Sequence, residues 1–244
     1  MKLNKRRHKP FYKQFLKLRA NVQNRIKIFK FKKQKWNRLQ QTSLRQLKFF
    51  KRYRIKDQFS IISSKFASRG NSYQKKFRNN LRDRKIFNLF YGGLKKQYLK
   101  THLNKIKKKN HNKLKFQNYK ENTFNFFESR LDTILYRAKF SHSIKSARQL
   151  ILHGHIFVNG KIVKTCSYLL KTNDFIEVSK NKKSRTLLKN NIDRSNFWPI
   201  PPSYLHINYN TFQIIVGLSN ESTLLPTFSY FVNIHSVVSN INKY

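Results

Sequence analysis

The sequence predicts an α+β protein: a helical basic domain, a basic N-terminal extension before it, and a compact unit of two helices packed on a small antiparallel sheet. Three observations predict it. Lys and Arg outnumber Asp and Glu by 54 to 9, and residues 1–120 hold 39 of those cations against two acids. Apolar residues recur three and four apart from Leu81 to Ile106, the period of a helix face. Past Phe126 the texture changes to short amphipathic helices and then to tight strands. A chain of 244 residues has room for one large domain or two small ones.

Residues 1–56 mix cations with aromatics, as in "FKFKKQKW" and "LKFFKRYRIK". Such a stretch forms either amphipathic helices with one basic face or an arm that orders only on a polyanion. The small and polar residues of "SKFASRGNSYQKKFRN", around Gly70, predict a loop. From about residue 80, Leu81, Phe87, Phe90, Leu94, Tyr98, Leu99, Leu103 and Ile106 carry the helical spacing, and Gly92-Gly93 divides it into two helices. "NKIKKKNHNKLKFQN", residues 104–118, is low in complexity and is expected to be a linker or a phosphate-seeking loop.

In "ESRLDTILYRAKF", Leu131, Ile134, Leu135 and Ala138 stand at i, i+3, i+4 and i+7, one apolar stripe of a helix. Arg130 and Arg137 share an adjacent face. Ser143 is the expected N-cap of a second helix, because its hydroxyl can accept from an early orphan N–H. On that helix Ile144, Ala147, Leu150 and Ile151 form the buried arc, with Lys145, Arg148, Gln149 and His153 opposite. Gly154 sits where a left-handed residue ends a helix. Ile156–Val158 and Lys161–Val163 read as strands around a type I′ turn at Asn159-Gly160, and Phe175–Val178 reads as a third. Two helices that bury their stripes on this sheet leave Arg130, Arg137, Lys145, Arg148, Gln149 and His153 to converge on a ligand. Arg and Gln can contact phosphates and base edges together. The competing reading of Arg148 is an ion pair inside the protein with Asp132.

A chain this basic repels itself when compact, so its basic half is expected to fold fully only against a polyanion, nucleic acid before an anionic membrane surface. Cys166 is alone, which excludes a disulfide framework and a multi-cysteine zinc site. His153 and His155 have no nearby Cys or acidic partner, so no metal and no cofactor are expected. No apolar run is long enough for a membrane-spanning helix, and the N-terminus lacks the apolar core of a secretory signal. The six glycines form no nucleotide-binding turn after a strand.

Arg130-Leu131-Asp132, Ala147-Arg148-Gln149-Leu150-Ile151 and Val158-Asn159-Gly160 resemble, in order and spacing, the "RLD" helix, "ARQLI" helix and "VNG" hairpin of the S-four (S4) RNA-binding domain. That domain also occurs in pseudouridine synthases, methyltransferases and a tRNA synthetase. The chain has neither a separate acid-bearing domain for the first nor a Gly-rich turn for the second, so it is not expected to be an enzyme. A DNA-binding helix-turn-helix is disfavoured by the hairpin directly after the second helix, so no DNA partner is expected. The flanks "LRDRKIFNLFYGGLKKQYLKTHL" (81–103) and "PPSYLHIN" are similar to those of the small-subunit ribosomal protein S-four family, in its organellar type. Two features depart from the family. Ser143 is followed by Ile144 where many members carry Arg, and the N-terminal cysteine zinc cluster of some members is missing.

The resemblance covers roughly residues 80–244 and implies four parts. They are a basic arm ordered on RNA (1–79), a basic helical segment (80–127), the S4 domain (128–190), inserted in the helical domain, and a tail packing back on that domain (191–244). The RNA-binding residues it implies are Arg78, Arg82, Arg84, Lys85, Lys95, Lys96, Arg130, Arg137, Ser143, Lys145, Arg148, Gln149, His153, His155 and Lys161. The implied role is a structural constituent of the small subunit, binding small-subunit ribosomal RNA early in assembly beside neighbouring ribosomal proteins, with no membrane partner. A ribosome-associated RNA chaperone or assembly factor is the alternative. The wealth of Lys, Asn, Phe and Ile suggests an AT-rich organelle genome, mitochondrial before chloroplast.

Overall fold

Two apolar cores organise the described residues, and two short helices contribute to both. The structure, a computed structural model, describes residues 12–23, 25–52, 73–94, 96–110, 122–123, 125–193 and 201–217. Lys95 and the side chain of Lys96 lie outside the described residues.

The first core is helical. It gathers α1 (Tyr12–Leu18), two 3-10 turns (Ile26–Lys30 and Gln34–Trp36), α2 (Asn37–Arg52), α3 (Tyr73–Phe90), α4 (Lys96–Asn110) and a helical turn at 125–128. Phe15, Val22, Ile28, Leu39, Phe87, Phe90, Tyr91, Leu103 and Phe127 are its buried members. Its aromatics meet edge to face, as Phe87 does with Phe127 at 5.3 Å and Phe90 with Tyr91 at 5.0 Å.

Three expectations are corrected here. The stretch from Tyr12 to Arg45 is part of this core and not an arm, because the apolar residues between its cations converge while Lys and Arg keep their heads in water. Gln40 reinforces the packing by donating to the carbonyls of Ile28 and Phe31, both at 2.9 Å. Residues 73–78, expected in a loop, begin α3, and 104–110, expected in a linker, finish α4. Lys costs little in a helix interior, so a Lys-rich run continues a helix that Leu99 and Leu103 anchor.

The second core lies between a sheet and the helices on its inner face. It holds α5 (Leu131–Arg137), α6 (Ile144–Leu152), β1 (Ile156–Val158), β2 (Lys161–Ile162), β3 (Phe175–Val178), α7 (Lys182–Asp193), β4 (Leu205–Asn208) and β5 (Gln213–Val216). The sheet is antiparallel throughout, in the order β2-β1-β3-β5-β4. Ile156, Val158, Ile176, Val178, Ile214 and Val216 point inward at period two. The β1–β2 turn has φ +50° at Asn159 and +77° at Gly160, the left-handed pair a type I′ turn requires. Ser143 caps α6 as expected, its hydroxyl accepting from Ser146 N at 3.2 Å.

Only part of the expected tail lies among the described residues. In residues 201–217, β5 pairs with β3, Ile176 opposite Ile214, so this stretch widens the sheet; the rest of the expected tail, 194–200 and 218–244, lies outside the described residues. Alternating apolar residues on β5 match the inner face, and β3 offers an edge whose N–H and C=O groups need a partner. From this segment Tyr204 reaches the helical side, its hydroxyl donating to Glu128.

Every residue of α5 is buried. Leu131, Ile134 and Leu135 enter the sheet core, while Tyr136 enters the helical core. A helix enclosed on both sides cannot leave Asp132 and Arg137 to water, so their charges must be answered inside.

Candidate nucleic-acid interface

Two buried carboxylates answer them. Asp132, fully buried, accepts from Arg130 Nε (3.0 Å, Oδ1) and Nη2 (2.9 Å, Oδ2), and from Arg148 Nε at 2.7 Å. Arg130 also donates to the Tyr98 hydroxyl at 2.6 Å. Glu128 accepts from Arg137 Nε (2.9 Å) and Nη2 (2.8 Å), from the Tyr91 hydroxyl (2.8 Å) and from the Tyr204 hydroxyl (3.1 Å). Arg137 further lies over the Phe90 ring at 4.8 Å. Bidentate geometry of this kind suits the guanidinium fork.

Burial alone would lower the pKa of Arg137, but the charge and hydrogen bonds of Glu128 outweigh it and the net shift is upward. Arg130 behaves alike, with Asp132 outweighing burial. Burial raises Tyr91 and Tyr204 well above the ordinary tyrosine value, and the Glu128 charge adds to it.

Arg148 bridges the two cores. Its Nη1 donates to the Gly92 carbonyl at 3.1 Å and its Nη2 to the Tyr91 carbonyl at 2.8 Å, so α6 is tied to the turn after α3. Only glycine fits that turn. Gly92 has φ +76°, and a Cβ there would stand 2.9 Å from Ile144 Cγ2 and 3.1 Å from Arg148 Cζ.

These contacts correct the site expected from sequence. Arg130 and Arg137 are buried and spent on carboxylates, so neither faces a ligand. Arg148, with 23% of its side chain exposed, is committed to Asp132 and two carbonyls. Ser143 is buried as a helix cap. The His155 ring nitrogen Nδ1 lies 3.1 Å from Ser184 Oγ, joining β1 to α7. An apolar stripe marks one packed side of a helix and is silent on a second, which is why, from sequence, these side chains read as free.

Other expected cations do face outward. Arg78, Arg82 and Lys85 are exposed on α3 at i, i+4 and i+7, with Arg84 half-buried beside them. Gln149 and His153 are exposed on α6, and Lys161 on β2. Lys145 is half-buried, its pKa lowered first by burial and then by the neighbouring cations Arg148 and Arg25. Arg25 lies in a turn, where no helical period marks it in the sequence. Among the described residues, no three His, Cys, Asp or Glu side chains cluster to hold a metal, and no helix is long and apolar enough to cross a membrane.

Comparison with known proteins fits this architecture. The family model described as the S4 domain matches residues 129–176, from the start of α5 into β3. The chain is 31% identical over 133 residues to the small ribosomal subunit protein uS4 of Aquifex aeolicus, covering 54% of this chain and 60% of that one. It is 35% identical over 136 residues to uS4 of Brucella anthropi, covering 55% and 61%. It is 46% identical over 94 residues to the small ribosomal subunit protein uS4c of Crucihimalaya wallichii, covering 38% and 45%. The chain thus spans less than two thirds of the length of the curated relatives it matches. It carries an S4 domain at residues 129–176 and is similar over about half its length to small ribosomal subunit proteins named uS4.

Proposed function

We propose that this chain is a non-catalytic constituent of the small ribosomal subunit that binds small-subunit ribosomal RNA. The observation that carries the reading is the sorting of its cations. The arginines nearest the two buried carboxylates hold the cores together, while Arg78, Arg82 and Lys85 on α3, Lys145 on α6 and Lys161 on the hairpin remain toward solvent or half so, with the polar Gln149 and His153 exposed on α6. Cations fixed on rigid elements neutralise phosphates without reorganising, and polyanion binding then releases counterions. Binding occurs early in assembly, beside other small-subunit proteins, because a chain with a net charge of +45 needs its RNA to offset self-repulsion.

The setting is an organelle, mitochondrial on composition, and the uS4c relative keeps the chloroplast as the other candidate. The test is to tag the chain at its source, purify ribosomal subunits from isolated mitochondria and quantify it. One copy per small subunit is the expected result. Association well below one copy, confined to immature particles, would favour an assembly factor instead.

A further inference from the structure

We propose that Arg25 and Lys145 form a composite clamp for an RNA phosphate, assembled where Arg25 reaches the connection that leads into α6. The inference rests on the RNA-binding reading above and adds to it a residue from a segment that lies more than a hundred positions away in sequence.

The turn is held from three sides. The buried Asn21 side chain grips both backbone groups of Arg25, its Oδ1 accepting from Arg25 N at 2.9 Å and its Nδ2 donating to Arg25 O at 3.3 Å. The buried Gln23 donates to the Leu89 carbonyl at 3.1 Å, and its own carbonyl accepts from the Tyr136 hydroxyl at 3.3 Å. From this fixed backbone Arg25 reaches the connection between α5 and α6, where its Nη1 donates to the His142 carbonyl at 3.3 Å. One guanidinium nitrogen is thereby used as an anchor, and the fork retains other N–H groups for a ligand.

Lys145 stands three residues further on, in the first turn of α6, with Arg148 one turn beyond. Three cations from two distant segments are thus gathered, and Arg148 among them is already held by Asp132. Holding like charges together costs stability; burial first, and then the neighbouring Arg148 and Arg25, lower the pKa of the Lys145 ammonium. A phosphate monoanion between Arg25 and Lys145 removes that cost. Arg148, pinned from behind by Asp132 and the carbonyls of Tyr91 and Gly92, contributes its charge without moving.

The experiment uses the full chain, with Arg25→Ala, Lys145→Ala and the double variant. Affinity is measured against salt for two RNAs, in vitro transcribed small-subunit ribosomal RNA and an unrelated transcript of equal length. A phosphate clamp reads no sequence, so each single variant is expected to reduce the salt slope by roughly 1, and the double by roughly 2, with both RNAs. The preference for ribosomal RNA should survive. If Arg25→Ala lowers the melting temperature, Lys145→Ala decides the matter, since it leaves the docked turn intact. An unchanged slope for Lys145→Ala overturns the clamp. Loss of preference in the unsubstituted protein would overturn the functional reading instead, while a slope reduced on both RNAs would still support the clamp.

Discussion

Helices α5 and α3 carry arginines at comparable helical spacings, and they use them in opposite ways. Arg137 at the end of α5 and Arg130 at its start are buried against Glu128 and Asp132. Arg78 and Arg82 on α3 are exposed, Arg78 approaching Gln74 at 3.5 Å and Arg82 donating to the Leu18 carbonyl at 3.2 Å. The difference is enclosure. α5 lies between two cores, so no direction around its axis leads to water, whereas α3 packs its apolar residues inward and leaves the opposite side free. An apolar stripe tells which face of a helix meets a core. It does not tell whether a second core covers the other face.

The sharpest way to break this contrast is to remove one buried carboxylate. Glu128→Ala strands Arg137 and takes the acceptor from the Tyr91 and Tyr204 hydroxyls, and an uncompensated buried charge costs about 3–5 kcal/mol. Urea unfolding of the variant should show that loss. The double substitution Glu128→Leu with Arg137→Met should recover much of it, because a buried pair stabilises little over apolar residues of similar size. A cost below about 1 kcal/mol for Glu128→Ala would mean that Arg137 can turn to solvent.

Alkaline pH probes the same enclosure less severely. Burial, the leading cause, raises Tyr136 from its ordinary 10.0 to about 12, with Arg137 and Arg25 opposing it in part. Since the folded value exceeds the unfolded one, this stability is fully present below about 10 and is lost as pH rises toward 12, an effect of roughly 3 kcal/mol. Tyr91 and Tyr204 shift in the same direction. Tyrosinate absorbance and circular dichroism followed together should show these rings ionising as the helices unfold. Ionisation near 10 with the fold intact would contradict their burial.

Arg148 is the intermediate case. Because it joins Asp132 to the carbonyls of Tyr91 and Gly92, Arg148→Ala is expected to cost stability by about 1–3 kcal/mol. Arg148→Lys should not restore it, since an ammonium cannot span three acceptors as the fork does. Thermal unfolding measures both. An unchanged melting temperature with weakened RNA binding would return Arg148 to the ligand-facing role read from sequence.

The second core was largely legible. The stripe of α5, the Ser143 cap, the α6 arc and the Asn159-Gly160 turn all follow local periodicity or turn chemistry, which need no distant partner. The packing of α1 and α2, the β4–β5 hairpin and the α7 helix were not legible, because each is decided by a surface built far away in sequence. The arginine roles left a trace that composition could have supplied. In a chain with nine acids, Glu128 and Asp132 stand within a few residues of Arg130 and Arg137, and acids so scarce are prime candidates for buried partners. Arg25 left no such trace.

The smallest effect is expected where α3 faces water, and it closes the comparison from the other side. Arg78→Ala with Lys85→Ala removes two exposed cations seven residues apart on one face of the helix. Neither residue supports a core, and Ala is the better helix former, so stability should change by less than about 0.5 kcal/mol. If this face neutralises phosphates, the slope of affinity against salt should nevertheless fall by roughly 2, with ribosomal and unrelated RNA alike. Calorimetric melting and salt-dependent filter binding on the same preparation separate the two quantities. An unchanged slope would remove α3 from the interface and leave α6 and the hairpin to carry it. A drop in melting temperature as large as that of Glu128→Ala would erase the distinction between an enclosed helix and an open one.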